Sequence, residues 1–328
     1  MDYNSNKNIS KSHQFIAHIL YVYRFIFPAQ IRQVLTIPWI YKNYTIVLSH
    51  ILKNKYPFEA ISRTGNHILL HNPHELWFVS QIERIGWKEY EIMDNKISIS
   101  FFGIETSSKI KVEIYNALSD GDVIGIFFKK AYGFLPTHGK TVLDIGANIG
   151  DSCVYFALHE VSRIIAIEPF PRSYELAKKN IDVNGFADKI NLQLAGCAAK
   201  SGDIVVDPLY SSNIYSRLVE FKKGVKIPLF TLQDIITKNN VIRGEAVLKM
   251  DCEGCEYDVI LSSADDTLTF FSHIQIEYHL GYRNLKEKLE KCGFQVWVTR
   301  PFMEYSTSFQ GRTTYTGFLY AIKREEKS

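Results

Sequence analysis

From Lys140 onward the chain alternates short apolar runs with longer amphipathic stretches. Short apolar runs bounded by turn residues read as buried strands, and the stretches between them as helices. The spacing predicts strands at Thr141 to Ile145, Ile164 to Ile167, Ile190 to Leu194, Ala246 to Met250, His273 to Ile276, Gln295 to Thr299 and Tyr315 to Ala321. One helix should open near Asp151, a second should run from Tyr174 to Val183 and stop at Asn184-Gly185, and a last should run from Leu285 to Lys291 and stop at Gly293. Gly and Asn end helices because they tolerate a left-handed backbone. Strand–helix alternation implies a parallel sheet with right-handed crossovers. The predicted fold is therefore α/β: a Rossmann-like, seven-stranded doubly wound sheet with one antiparallel edge strand.

The chain before this region follows another pattern. Phe15 to Leu52 is rich in aromatic and aliphatic residues with scattered cations. Helices packed on a core are expected there, and peripheral membrane contact through residues 15–52 is the alternative. His18, Arg24, Pro28, Arg32, Pro38 and Lys42 interrupt any apolar run long enough to span a bilayer, and the N-terminus has no signal-peptide grammar. Trp39, Tyr41, Tyr44 and Trp77 are suited to sugar rings or a lipid interface, with core packing as the simpler role. Asn72-Pro-His-Glu75 has the form of a capped helix start. Lys96 to Ile104 and Lys109 to Ile114 alternate like antiparallel strands, and Asp120-Gly-Asp122 then leads into Val123 to Phe128. The expected organisation is an N-terminal helical and β extension over residues 1–120, a domain over 121–324 and a tail over 325–328.

Composition narrows the class of protein. With 46% hydrophobic and 22% charged residues in 328, the chain is ordinary for a globular protein. A net charge of +3 is too small to argue for a nucleic-acid partner, and Lys222, Lys223 and Lys226 read as a solvated face. The five cysteines, Cys153, Cys197, Cys252, Cys255 and Cys292, form no secreted disulfide framework, so a reducing cytoplasm is expected. Cys252-Glu-Gly-Cys255 has metal-finger spacing without a second pair. Zinc and redox roles are both set aside on that ground.

The chemistry begins at Thr141-Val-Leu-Asp-Ile-Gly-Ala-Asn-Ile-Gly150, where a strand enters a glycine-punctuated turn that opens a helix. Gly146 and Gly150 permit positive φ or close approach of a ligand, and the helix start offers unpaired N–H groups. Dinucleotide sites favour G-x-G-x-x-G. Here the glycines are four apart and an acid, Asp144, stands at the strand end. That acid would repel a diphosphate but suits the ammonium and sulfonium of S-adenosylmethionine. Glu168, 22 residues after Gly146, is placed to accept ribose hydroxyls. The bland alternative is a strand-to-helix turn capped by Asp151.

Lys249-Met-Asp-Cys-Glu-Gly-Cys-Glu-Tyr257 is the second signal, because Asp251, Glu253 and Glu256 gather at the end of the fourth strand, where open α/β sheets bind ligands. Gly254 permits the turn, and Val259, Ile260 and Leu261 should then bury a helix face. Together with D-I-G-A-N-I-G, the I-E-P at Ile167 to Pro169 and the I-E-Y-H at Ile276 to His279, this run resembles the FkbM family of S-adenosylmethionine-dependent methyltransferases. The likeness covers roughly Gly121 to Lys323, and K-M-D-C-E-G-C-E matches the family's K-I-D-x-E-G-x-E with Met250 as a departure.

The resemblance implies a class I methyltransferase fold and O-methylation of a sugar or natural-product hydroxyl by a cytoplasmic enzyme. It also implies that Asp144, Gly146, Asn148 and Gly150 line the methionine end, Glu168 the ribose, and Gly196, Cys197 and Ala198 the adenine. A hydroxyl acceptor needs a base within about 3 Å of its proton. Asp251, Glu253, Glu277 and His279 are the catalytic candidates, with His279 the natural base at neutral pH. Magnesium held by Asp251 and Glu277 is an alternative; no metal is favoured. The expected partner is a small-molecule, lipid-linked or glycan acceptor and not a nucleic acid. RNA base methylation, a cofactor-binding module without catalysis and a NAD-dependent oxidoreductase are the competing readings; Asp251-Cys-Glu-Gly stands where amino-methylating enzymes carry an N/D-P-P-Y or N-L-P turn.

Overall fold

A computed structural model describes residues 29–93, 95–102, 109–209, 221–306 and 312–324. The readings made for residues 15–28 and for the tail at 325–328 lie outside these residues. Packing divides the chain into two compact units, Met1–Lys88 and Glu89–Ser328.

The first unit contains α1 (Ala29–Ile40), α2 (Tyr44–Lys53), the antiparallel hairpin β1 (Phe58–Ile61) and β2 (His67–Leu70), and α3 (Pro73–Ile85). The start of α3 follows its sequence signal. Asn72 Oδ1 accepts from Glu75 N at 2.9 Å, whereas Glu75 Oε2 reaches back to His71 N at 2.8 Å rather than to the cap residue's own amide. Tyr41, Val47, Leu70, Val79 and Ile82 are buried, and the Tyr41 hydroxyl lies 3.1 Å from Ser80 Oγ. Core packing thus holds for Tyr41 but not for Trp39, which is 81% exposed, or for Trp77, at 50%. Among the described residues, no helix is long and apolar enough to cross a membrane.

The second unit opens with an antiparallel sheet of β3 (Tyr90–Met93), β4 (Lys96–Phe102) and β5 (Lys109–Tyr115), followed by a short π-helix at Ile124–Phe128. It continues with β6 (Thr141–Ile145), α4 (Asp151–Ala157), β7 (Arg163–Glu168), α5 (Pro171–Val183), β8 (Ile190–Leu194), β9 (Gly196–Cys197), β10 (Gly202–Val206), β11 (Val225–Phe230) and α6 (Leu232–Lys238). The remaining elements are β12 (Ala246–Met250), α7 (Cys255–Ser262), α8 (Asp265–Leu268), β13 (Phe271–Tyr278), α9 (Arg283–Lys291), β14 (Phe294–Val298), β15 (Phe302–Ser306) and β16 (Arg312–Lys323).

The packing boundary falls at Lys88–Glu89 rather than at residue 120, and side-chain amides explain why. Asn180, buried on α5, accepts from Tyr115 N at 2.7 Å and donates to Ile149 O at 2.8 Å and to Tyr115 O at 3.2 Å. One turn later, Asn184 exchanges bonds with the Glu113 backbone at 2.7 and 3.0 Å. These bonds tie β5 to the helix behind the cofactor turn.

All seven strands expected in the central sheet form, in the order β14-β16-β13-β12-β6-β7-β8. One detail differs: the antiparallel strand is β16, and it pairs with both β13 and β14, so it lies one place in from the edge rather than at it. Strand periodicity then sorts the side chains. Leu143, Ile145, Ile165, Ile167, Leu248, Met250, Ile274, Ile276 and Tyr278 enter one buried core, while Val142, Ile164, Ala166 and Val247 enter another with Cys153 and Phe156 of α4. Asp144, Glu168, Lys249 and Glu277 alternate with the first set and therefore share the second face. The functional side chains accordingly collect on one side of the sheet.

Asn180→Ala would strand the Tyr115 amide and the Ile149 carbonyl away from water. At about 1–3 kcal/mol per buried unsatisfied group, urea denaturation should show a loss of roughly 2–4 kcal/mol; an unchanged midpoint would contradict this role.

Candidate active site

Lys249 of β12 and Asp144 of β6 are register partners, and both side chains are buried, at 2% and 0% exposure. Lys249 Nζ lies 2.9 Å from Asp144 Oδ1 and donates to Gly146 O at 2.6 Å. Asp144 Oδ2 accepts from Ser152 Oγ at 2.6 Å and, at 3.4 Å, from Cys153 Sγ. Burial would depress the lysine pKa, but Asp144 and Asp251 keep it raised. Asp144 is thus enclosed by protein groups, and its carboxylate acts on Lys249 and α4.

The glycines of the turn serve the chain's own packing. Gly146 has φ +82°, and a Cβ there would fall 1.8 Å from the Asp251 carbonyl oxygen. A Cβ on Gly150 would crowd Ala177 of α5 at 3.0 Å. Any side chain at Gly146 would push the two strand ends apart. Between them, Asn148 takes φ +48° and its amide donates to Glu168 Oε2 at 2.8 Å. Glu168 Oε1 accepts from Phe170 N at 2.9 Å. Burial pushes the Glu168 carboxyl up to about 8 despite those two bonds and the more distant Lys249. The Glu168 backbone oxygen accepts from Ala195 N, so Gly196, Cys197 and Ala198 follow directly beside it. Gly196 and Cys197 are buried as β9, and burial raises the Cys197 thiol to about 12.

The acidic run and β13 meet around His279. Its Nδ1 is 2.7 Å from Glu256 Oε1, and its Nε2 is 3.3 Å from Glu253 Oε2 and 4.0 Å from Asp251 Oδ1. Glu256 Oε2 also accepts from Gly254 N at 2.8 Å. Burial alone would lower the histidine pKa, but Glu256, Glu253 and Asp251 raise it to about 10. His279 is thus held as a proton-retaining ring among three acids. Glu277 is raised well above the carboxylate range by desolvation and by Asp251, so all four catalytic candidates share one electrostatic cluster.

Three ligand atoms, from Asp251, Glu253 and His279, lie within 4.8 Å of one another. Among the described residues this set has metal-ligand spacing, as do Cys252, Cys255 and Glu256, and Glu277 belongs to neither.

Four further findings escaped the sequence. Cys252 and Cys255 are joined in a disulfide, although their spacing had been set aside as without redox meaning. Leu261, expected to be buried with Val259 and Ile260, is 41% exposed. Tyr132, whose hydroxyl lies 3.4 Å from Asp251 Oδ2, gave no signal because the loop that carries it has no periodicity. Glu256 was visible as an acid but not as the partner of His279. Beside the cluster lies a cavity of about 420 Å³ lined by Tyr257, Leu280, Tyr282, Arg283, Asn284 and Tyr315, among others.

The doubly wound sheet thus brings a left-handed glycine turn, an acid ending the second strand and an acidic turn after the fourth to the strand ends where open α/β sheets bind ligands. Residues 144–296 match the methyltransferase FkbM domain family, so a methyltransferase domain of this kind occupies that stretch of the chain. A curated relative, Methyltransferase 1 of Beauveria bassiana, is 22% identical over 202 residues, covering 54% of this chain and 81% of that protein. Among solved structures, M. jannaschii TYW2 in complex with AdoMet is 16% identical, with 72% of this chain and 89% of that one covered and a TM-score of 0.36. Precorrin-6y C5,15-methyltransferase from Geobacter metallireducens is also 16% identical, with 60% and 86% covered and a TM-score of 0.35.

Lys249→Met would leave Asp144 buried without its cation and should cost about 3–5 kcal/mol. Adding Asp144→Asn should recover part of that loss, giving a coupling of roughly 2 kcal/mol in a double-mutant cycle; simple additivity would show that the pair does not act as a unit.

His279 gives a pH expectation. Its folded pKa, about 10, exceeds the ordinary histidine value of 6.5, so its stabilising contribution is full below about pH 6.5 and is lost as pH rises through about 10. Ring-proton NMR should show a titration far above neutrality, and Glu256→Gln should move it down.

Proposed function

We propose that the chain transfers a methyl group from S-adenosylmethionine to a hydroxyl of a sugar, glycan or lipid-linked small molecule. The observation that carries this reading is the convergence of Asp251, Glu253 and His279 at the ends of β12 and β13, across the Gly146 contact from the turn that meets Glu168. When bound, S-adenosylmethionine supplies an electrophilic methyl on a sulfonium centre.

The donor set fits that group. Glu168 is a desolvated carboxyl at a strand end, raised to about 8, and a pair of ribose hydroxyls would donate to its remaining lone pairs. Asp251 is the proposed base: its carboxylate takes the acceptor's proton as the oxygen gains its methyl group. His279, protonated and anchored by Glu256, positions Asp251 and Glu253 from behind. The adjoining cavity, with Tyr282, Tyr315, Arg283 and Asn284 on its wall, offers ring faces and polar groups of the kind that sugars use. Tightly grouped carboxylates also disfavour a polynucleotide backbone as acceptor.

Two substitutions separate binding from turnover. Glu168→Ala removes the carboxyl oxygens offered to the ribose hydroxyls and should weaken S-adenosylmethionine binding in calorimetry by about tenfold. Asp251→Asn should leave that affinity nearly unchanged while kcat falls by about 100-fold or more, in the range for loss of a general base. Full turnover in a folded Asp251→Asn protein would remove Asp251 from the chemistry.

A further inference from the structure

The disulfide closes the turn from which the cluster is built. Cys252 and Cys255 bracket Glu253 and Gly254, which both have left-handed backbones at φ +57° and +112°. Positive φ is unfavourable for a residue such as glutamate and persists where the surroundings impose it. The imposed conformation brings Glu253 to 3.3 Å from His279 Nε2, while Glu256, the residue after Cys255, holds Nδ1 at 2.7 Å. The histidine is thus gripped by the acid inside the ring and by the acid that follows it.

The two sulfurs differ from the other cysteines of the chain. Cys153, Cys197 and Cys292 are buried and free, whereas Cys252 and Cys255 are both partly exposed. Cys255 is the first residue of α7, where the helix N-terminus favours a thiolate. Cys252 Sγ lies 3.3 Å from Glu256 Oε2. Once reduced, that thiol would donate a hydrogen to the carboxylate that orients His279, so the redox state bears directly on the cluster.

We propose that Cys252 and Cys255 form a reversible dithiol–disulfide switch that assembles the turn when oxidised, loosens it when reduced, and so sets the rate of methyl transfer. The effect on transfer rests on the function proposed above; the switch itself does not. The oxidant is a small disulfide. Cys255 thiolate attacks one of its sulfurs, forming a mixed disulfide and releasing one thiolate. Cys252 thiolate then attacks the Cys255 sulfur, closing the protein disulfide and releasing the second. Two protein thiols give up two protons and two electrons, and the small disulfide becomes two thiols. A dithiol reductant reverses the sequence.

The test uses the full chain equilibrated across ratios of glutathione to glutathione disulfide, with thiols trapped by alkylation and located by mass spectrometry. Cys252 and Cys255 should lose their labels together, while Cys153, Cys197 and Cys292 remain labelled at every ratio. His279 ring signals in NMR should shift with the same midpoint. Tritium transfer from S-adenosylmethionine into a glycan and lipid extract should fall about tenfold or more on reduction, as displacement of a positioned group would produce. The double variant Cys252→Ser, Cys255→Ser, or Cys252→Ala alone should the double variant misfold, should stay at the reduced level at every ratio. A pair that remains reduced throughout, or one that titrates while His279 and transfer stay constant, would overturn the proposal. Thiols and His279 moving together without tritium transfer in either state would support the switch and count against the assigned acceptor instead.

Discussion

A lysine and an aspartate with no access to water hold the two middle strands of the central sheet at the point where they deliver their loops. Burying such charges costs several kcal/mol per ion unless the remaining donors and acceptors are satisfied. Here part of that demand is met: Asp144 Oδ2 accepts from Ser152 and Cys153 and Lys249 donates to the Gly146 carbonyl, while Asp144 Oδ1 has the Lys249 ion pair alone. The pair therefore fixes the first residue of the cofactor turn and the last residues of β12 together. Gly146 completes the arrangement, since only the absence of a Cβ lets the Asp251 carbonyl reach it. Displacing any one of these groups would move Asp251 relative to Glu168.

Around this fixed point the chain gathers more negative than positive charge. Asp251, Glu253, Glu256 and Glu277 surround one histidine, and protons are retained to offset the imbalance: His279 stays charged to about pH 10 and the Glu277 carboxyl is raised well above its ordinary range. Tyr132 is also raised, first by burial and then by Asp251. A cluster in this condition attracts a cationic ligand such as a sulfonium. Within it, the His279 ring sits between acids that would otherwise repel one another.

The parts that were legible in the sequence are those written in short-range patterns. The seven strands follow from apolar runs, Asn72 and Gly293 from cap chemistry, and the FkbM likeness from four motifs close to strand ends. The rest depended on long-range contacts. Asn180 and Asn184 look like ordinary helix-surface residues until β5 is laid beside them, and no short-range pattern shows that residues 109–115 pack within the second unit. Gly146 and Gly150 looked like concessions to a ligand, yet the nearest obstacles are Asp251 and Ala177. His279 was read from its ordinary pKa, whereas three acids from a separate segment determine its charge. Five cysteines form no even framework, and their number does not show that the left-handed turn brings the sulfurs of Cys252 and Cys255 together.

The central claim is that this cluster methylates a hydroxyl. It is tested most directly by supplying tritiated S-adenosylmethionine with fractionated glycan, lipid and total RNA extracts and by characterising the labelled bond. The account predicts label in the glycan or lipid fraction as a methyl ether, stable to mild alkali and to nuclease. Label confined to RNA, or released as volatile methanol by alkali as from a methyl ester, would contradict it.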